Sequence, residues 1–156
     1  MRRVLITGMS GTGKSTALAE LAGRGFRVVD TDDPGWKEPR DGDLVWREDR
    51  MRDLLAPDGE RTLFVSGCVP NQGDFYDRFD AVVLLSAPAE VILDRIRSRT
   101  TNSYGRAPGE EEQILADLAE VEPQLRATAT HEIDAAQPLD SVVARLVEIA
   151  GREDVA

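Results

Sequence analysis

Gly8-Met9-Ser10-Gly11-Thr12-Gly13-Lys14-Ser15-Thr16 follows directly on the apolar run Val4-Leu5-Ile6-Thr7. The stretch fits G-x-x-x-x-G-K-[ST], and its setting matters more than the pattern. A phosphate loop works only between a buried strand and the start of a helix. Val4 to Thr7 reads as that strand, and Ser15 to about Ala22 as that helix. Glycines at 8, 11 and 13 let the backbone take positive φ and turn its N–H groups toward an anion. The dipole of the following helix adds favourable potential at the same point. Gly8, Ser10, Gly11, Thr12, Gly13, Lys14, Ser15 and Thr16 are therefore the expected triphosphate cradle. Lys14 would reach the β- and γ-phosphates, and the Ser15 hydroxyl would hold Mg²⁺.

Outward from this loop, short apolar runs alternate with helical stretches. Strands are expected at Arg3–Thr7, Arg27–Asp30, Thr62–Ser66, Ala81–Ser86 and His131–Asp134. Most are continuous β-branched and leucine runs, the pattern of parallel strands covered on both faces. Helices are expected around Leu44–Leu55, from Pro88 onward, from Glu110 to about Glu122, and from Leu139 to about Ala150. Pro88 suits a first helical turn, and the acidic start at Glu110 complements a helix dipole. The sum is a three-layer α/β fold, a five-stranded parallel sheet flanked by helices, formed by residues 1–156 as one domain.

Composition narrows the function. Net charge is −10 over 156 residues, which argues against tight nonspecific binding to nucleic acid, where affinity comes from neutralising phosphates. No apolar run is long enough to cross a membrane, and with the first strand starting almost at once no signal peptide is expected. One cysteine, Cys68, excludes an internal disulfide, and with His131 the lone histidine a zinc site is not expected. A cytoplasmic protein is expected. Cys68 reads as a small buried residue rather than a nucleophile, and His131 as a strand-edge residue.

In so acidic a chain the arginines at 95, 97, 99 and 106 stand out. Arg95 and Arg99 lie four apart and share a helix face. Thr100 to Gly109 is polar and turn-rich, as a mobile lid over about residues 98–110 would be. Guanidinium groups suit phosphate because they donate two parallel hydrogen bonds. The alternative is a solvated helix face pairing with Glu90 and Asp94. Upstream, Asp30-Thr31-Asp32-Asp33 closes the second strand. Ligands gather at the carboxyl ends of strands in open α/β sheets, so carboxylates there can hold Mg²⁺ or take a proton from a hydroxyl. A polar turn before Pro34 is the plainer reading.

The pairing of Gly8-x₄-Gly13-Lys14-Ser15-Thr16 with Val29-Asp30-Thr31-Asp32 resembles the P-loop small-molecule kinases related to shikimate kinase and gluconate kinase, in the adenylate-kinase-like class. That resemblance implies ATP as phosphoryl donor, Mg²⁺ as cofactor, and a small hydroxylated acceptor. It places Mg²⁺ on Ser15 and Asp30, acceptor handling on Asp32, and transfer chemistry on Lys14, Asp30, Asp32, Arg99 and Arg106, with Arg95 behind them at the nucleotide. Ile133-Asp134-x-x-x-Pro138-Leu139 is similar to the gluconate kinase stretch that packs on adenine, which brings Asp134 and Pro138 to the base. The acceptor region falls at about residues 33–55, where Trp36, Lys37, Arg40, Trp46, Arg47 and Arg50 would suit a pocket with an aromatic wall and cationic anchors, Trp36 and Arg47 first among them, or would simply cover the core beside a surface helix. Gly67 would line the pocket where shikimate kinases carry a run of glycines, here a single one. No His-Pro element of the gluconate kinase kind follows the D-x-D residues, so the acceptor stays open. Nucleoside or nucleoside monophosphate kinase, and a regulatory ATPase or binding module without an acceptor, are the alternatives. ATP and the acceptor are the expected partners of a monomer or weak homodimer.

Overall fold

A computed structural model describes residues 2–9, 11–56, 61–98 and 109–151. In chain order the elements are β1 (Arg3–Thr7), α1 (Lys14–Gly23), β2 (Arg27–Asp30), β3 (Lys37–Arg40), β4 (Asp43–Trp46), α2 (Glu48–Leu54), β5 (Leu63–Ser66), a 3-10 helix (Gln72–Arg78), β6 (Ala81–Ser86), α3 (Ala89–Ser98), α4 (Glu110–Thr128), β7 (His131–Asp134) and α5 (Leu139–Gly151). Five strands form a parallel sheet in the order β2-β5-β1-β6-β7. This is the expected three-layer α/β fold, a five-stranded parallel sheet flanked by helices.

The pleat sorts the core into two layers. Val4 and Ile6 face one side, with Val83, Leu85 and Phe64, against Ala17, Leu18 and Leu21 of α1, Ile92 and Ile96 of α3, and the apolar stripe of α5. Leu5 faces the other side, with Val65 and Val82, against Trp46, Met51, Leu54 and Phe75. Successive residues of one strand thus serve opposite layers, which is why these strands read as unbroken apolar runs. Because β1 lies between β5 and β6, the chain turns in opposite directions on its two sides. The carboxyl end of β1 is the switch point where such sheets bind ligands.

The expected helix over Leu44–Leu55 needs correction. Leu44 to Trp46 belong to β4, which pairs antiparallel with β3 in a separate hairpin, and the helix is only Glu48–Leu54. The cause is the two-residue turn Asp41-Gly42, with φ of 52° and 86°. Positive φ at both positions is the type I′ geometry that matches strand twist, and Asp-Gly is among its preferred pairs. Pro39 is tolerated because the ribbon has only two strands and thus a free edge on each side. α4 also runs further than expected, to Thr128, with Pro123 inside it.

Candidate active site

The phosphate loop is built as its glycines require. Gly8 has φ of 150°, and a Cβ there would sit 2.5 Å from the Leu85 carbonyl oxygen, so no larger residue fits. Gly13, at φ 92°, caps α1 without a side-chain bond, and the first turn of α1 carries no acidic residue. Its leading N–H groups and positive potential are therefore left for an anion. Thr12 is buried and turns inward, donating from Oγ1 to the Met9 carbonyl at 2.8 Å, so its side chain closes the loop. Lys14 Nζ donates to the carbonyl oxygens of Gly8 at 2.6 Å and Met9 at 3.0 Å. Burial lowers the pKa of this ammonium below the ordinary 10.5, against the opposing effect of Cys68, Asp32 and Asp30. Thr16 is exposed on the first turn of α1, and Ser10 lies outside the described residues.

The carboxylates arrive from β2, two strands away from β1 in the sheet. Ser15 Oγ donates to Asp30 Oδ2 at 2.7 Å, and the Asp32 N–H donates to Asp30 Oδ1 at 2.9 Å. Both Asp30 oxygens are thus engaged. Asp32 points away to Lys37, whose Nζ donates to it at 2.8 Å, and its side chain stays 62% exposed. Between the two, Thr31 is fully buried and donates from Oγ1 to the Ser66 carbonyl at 2.7 Å. Trp46 Nε1 in turn donates to Thr31 Oγ1 at 2.9 Å. The D-x-D turn is therefore pinned by its middle residue, with Asp30 turned to Ser15 and Asp32 to Lys37.

The two tryptophans have separate jobs. Trp46 is buried in the core against Phe75, while Trp36 is half-buried and carries the Arg50 guanidinium 4.8 Å from its ring centroid. Arg47 N–H donates to the Trp36 carbonyl at 2.8 Å, which fixes Arg47 beside Trp36. Gly67 is buried, and a Cβ there would lie 2.4 Å from Thr31 Oγ1 and 2.9 Å from Trp46 Cζ2. Packing alone accounts for this glycine. Cys68 is exposed, contrary to expectation: with position 67 filling the space beside Thr31 and Trp46, the next side chain turns outward.

On the other side, Arg95 of α3 links two segments far apart in sequence. It donates from Nη2 to the Ala135 carbonyl, and its Nη1 lies 3.5 Å from the Gly11 carbonyl. It thereby joins the phosphate loop to the turn after β7. There Asp134 Oδ1 accepts from the Ala136 N–H at 2.9 Å, and the Pro138 carbonyl accepts from Ser141 and Val142, starting α5. Arg97 instead pairs with Asp94 and Glu111, the solvated alternative. Arg99 and Arg106 lie outside the described residues. Lys37 and Arg50, both within the expected acceptor segment, lie against Asp32 and Trp36, and the amides of half-buried Asn71 and buried Gln72 emerge only in three dimensions.

Ser15 and Asp30 suit a hard cation, since a hydroxyl and a carboxylate meet at the loop where phosphate oxygens and water can complete an oxygen shell. Among the described residues no group of three or more His, Cys, Asp and Glu could hold a metal on its own. No helix among them is long and apolar enough to cross a membrane.

The sequence profile described as "AAA domain" matches residues 4–116. Among solved structures, the chain is similar to the shikimate kinase of Acinetobacter baumannii in complex with shikimate, at TM-score 0.68 and 19% identity, covering 100% of this chain and 96% of that one. It is similar to a gluconokinase from Sinorhizobium meliloti 1021 at TM-score 0.64 and 20% identity, covering 97% and 92%. A deoxyadenosine kinase from M. mycoides with bound dATP matches at TM-score 0.57 and 16% identity, covering 94% and 97%. No curated protein matches the sequence.

Proposed function

This chain belongs to the AAA domain family, and we propose that it works there as an ATP-dependent phosphotransferase acting on a hydroxyl of a small molecule. The observation that carries this reading is the division of labour in the D-x-D turn. Asp30 is bonded to Ser15 at the phosphate loop, whereas Asp32 faces the hairpin and solvent.

In this mechanism the loop N–H groups and Lys14 hold the β- and γ-phosphates, and Ser15 with Asp30 would hold Mg²⁺. The ion supplies positive charge to the phosphate oxygens when bound. Arg95 fixes the nucleotide side, and the turn from Asp134 to Pro138 receives the base. The acceptor lies between Asp32 and the hairpin, against Trp36, with Arg47 and Arg50 available to an anionic group on it. Asp32 takes the acceptor's hydroxyl proton while the acceptor oxygen bonds the γ-phosphorus and the bond to the β–γ bridging oxygen breaks, leaving ADP. Arg99 and Arg106 are assigned by the same proposal to the developing charge. Electrostatic positioning of this kind is the main catalytic contribution in phosphoryl transfer.

A nucleoside monophosphate is the second acceptor reading, favoured by the Arg50 guanidinium lying over Trp36 with no carboxylate at salt-bridge distance among the described residues. The test is ADP release from Mg·ATP with a panel of shikimate, gluconate and other sugar acids, nucleosides, nucleoside monophosphates and aminoglycosides, with Lys14→Ala as the blank. Stimulation by one chemical class is expected. Steady hydrolysis indifferent to every acceptor would instead support a regulatory ATPase.

A further inference from the structure

The hairpin β3–β4 shares no strand pairing with the five-stranded sheet. Its inner strand is held by a side chain instead. The Trp46 N–H donates to Asn71 Oδ1 at 2.9 Å, and Asn71 Nδ2 donates to the Trp46 carbonyl at 3.1 Å. One carboxamide thus does for Trp46 what a neighbouring peptide would do in a sheet. The next residue, Gln72, is 4% exposed and reaches the opposite way. Its Nε2 donates to Thr7 Oγ1 at 3.0 Å and to the Tyr76 hydroxyl at 2.8 Å, while Oε1 accepts from the Val69 N–H at 2.9 Å. Thr7 is the last residue of β1, and Gly8 opens the phosphate loop.

Two adjacent residues therefore connect the acceptor hairpin to the root of the phosphate loop. A local structural role explains the bond from Val69 to Gln72, but not the reach to Thr7 across sixty-five positions of chain. The root has little freedom elsewhere, because Gly8 already lies against the Leu85 carbonyl. Were Lys14 to exchange the Gly8 and Met9 carbonyls for a phosphate, Thr7, next to Gly8 and bonded to Gln72, would stand in the path of the adjustment. Coupling requires the contact chain to take a second arrangement in that exchange.

We propose that Asn71 and Gln72 are positioning residues that transmit occupancy of the phosphate loop to Trp46 and the acceptor hairpin. The proposal rests on the loop being the nucleotide site, and Mg·ADP is the probe that separates the two ideas. Trp36→Phe leaves Trp46 as the sole indole of the chain. In that protein, calorimetry measures Mg·ADP affinity while Trp46 emission and acrylamide quenching report on the hairpin. Binding with a Trp46 response is expected. Adding Gln72→Met should keep affinity within about threefold while removing at least about half of the response, and Asn71→Ala, which cuts the chain at its other end, should do the same. Thermal unfolding confirms that each variant is folded, and either one suffices. Calorimetric binding without a Trp46 response, or a full response in the variants, overturns the inference alone. Absence of binding in the reporter protein overturns the nucleotide reading and this inference with it.

Discussion

Replacing Gly67 with alanine drives a methyl group into a place already occupied. The new Cβ would stand 2.4 Å from Thr31 Oγ1, 2.9 Å from Trp46 Cζ2 and 3.2 Å from Trp46 Nε1. None of these atoms can yield cheaply, since Thr31 and Trp46 are both fully buried and are bonded to each other. Relief requires Thr31 Oγ1 to swing away, which orphans the Trp46 indole N–H at a cost of about 1–3 kcal/mol. Forcing the extra carbon into a packed core adds about 1–3 kcal/mol. The expected destabilisation is their sum, about 2–6 kcal/mol, a large share of the 5–15 kcal/mol that holds a typical domain together. Urea unfolding followed by tryptophan fluorescence reads it directly. Thr31→Ala in the same background removes the clashing oxygen, so the double-mutant cycle should show a favourable coupling above about 1 kcal/mol. A Gly67→Ala protein within about 0.5 kcal/mol of the parent refutes the packing argument and returns Gly67 to the acceptor pocket as a lining residue.

Other outcomes follow from the same geometry. Asp32→Asn should lower kcat by about 10²- to 10⁴-fold with little change in KM for ATP, because only proton removal is affected. Asp30→Asn should instead weaken Mg·ATP binding, and equal kinetic signatures for the two would dissolve their separate roles. Burial holds the pKa of Lys14 below 10.5, so the folded chain binds this proton less tightly than the unfolded chain. Stability of the nucleotide-free protein should therefore rise with pH between the two values. Mg·ADP affinity should fall across the same interval as the ammonium is lost. Lys14→Met should flatten both profiles, and an affinity that holds until 10.5 would refute the shift.

The phosphate loop and the five parallel strands were legible because their signals are local: glycine spacing, apolar runs, and the switch from strand to helix. The pairing of Asp30 with Ser15 was legible at one remove, since strand ends converge in this kind of sheet. The hairpin was not read, although Asp41-Gly42 announced it. Trp46, Met51, Leu54 and Leu55 mimic a helical stripe, and all four face the same core layer, so periodicity pointed to a helix that starts too early. Arg95 shows another limit. Its link from the phosphate loop to Ala135 spans contacts 84 and 40 positions apart, which spacing along a helix cannot reveal. Asn71 and Gln72 had no signal at all, because amide side chains in a turn are ordinary until their partners are known.

The placement of carboxylates bears on the choice between a kinase and a hydrolytic switch. An ATPase that activates water commonly draws an acid from an apolar strand beside the phosphate-loop strand. Here that neighbour is β5, which ends in buried Ser66, with buried Gly67 directly after it. Position 67 admits no Cβ, so a carboxylate there is sterically barred by Thr31 and Trp46. The acids at the mouth come from the β2 turn instead. One is engaged with Ser15, and the other projects toward Lys37 of the hairpin. A carboxylate directed at the hairpin rather than at the end of β5 is where the proposed acceptor would need its base. The same tryptophan that bars the acid from β5 also holds the hairpin through Asn71. Trp46 thus meets both features, its indole beside Gly67 together with Thr31 and its backbone bonded to Asn71, an arrangement that fits the proposed acceptor-dependent transfer better than hydrolysis.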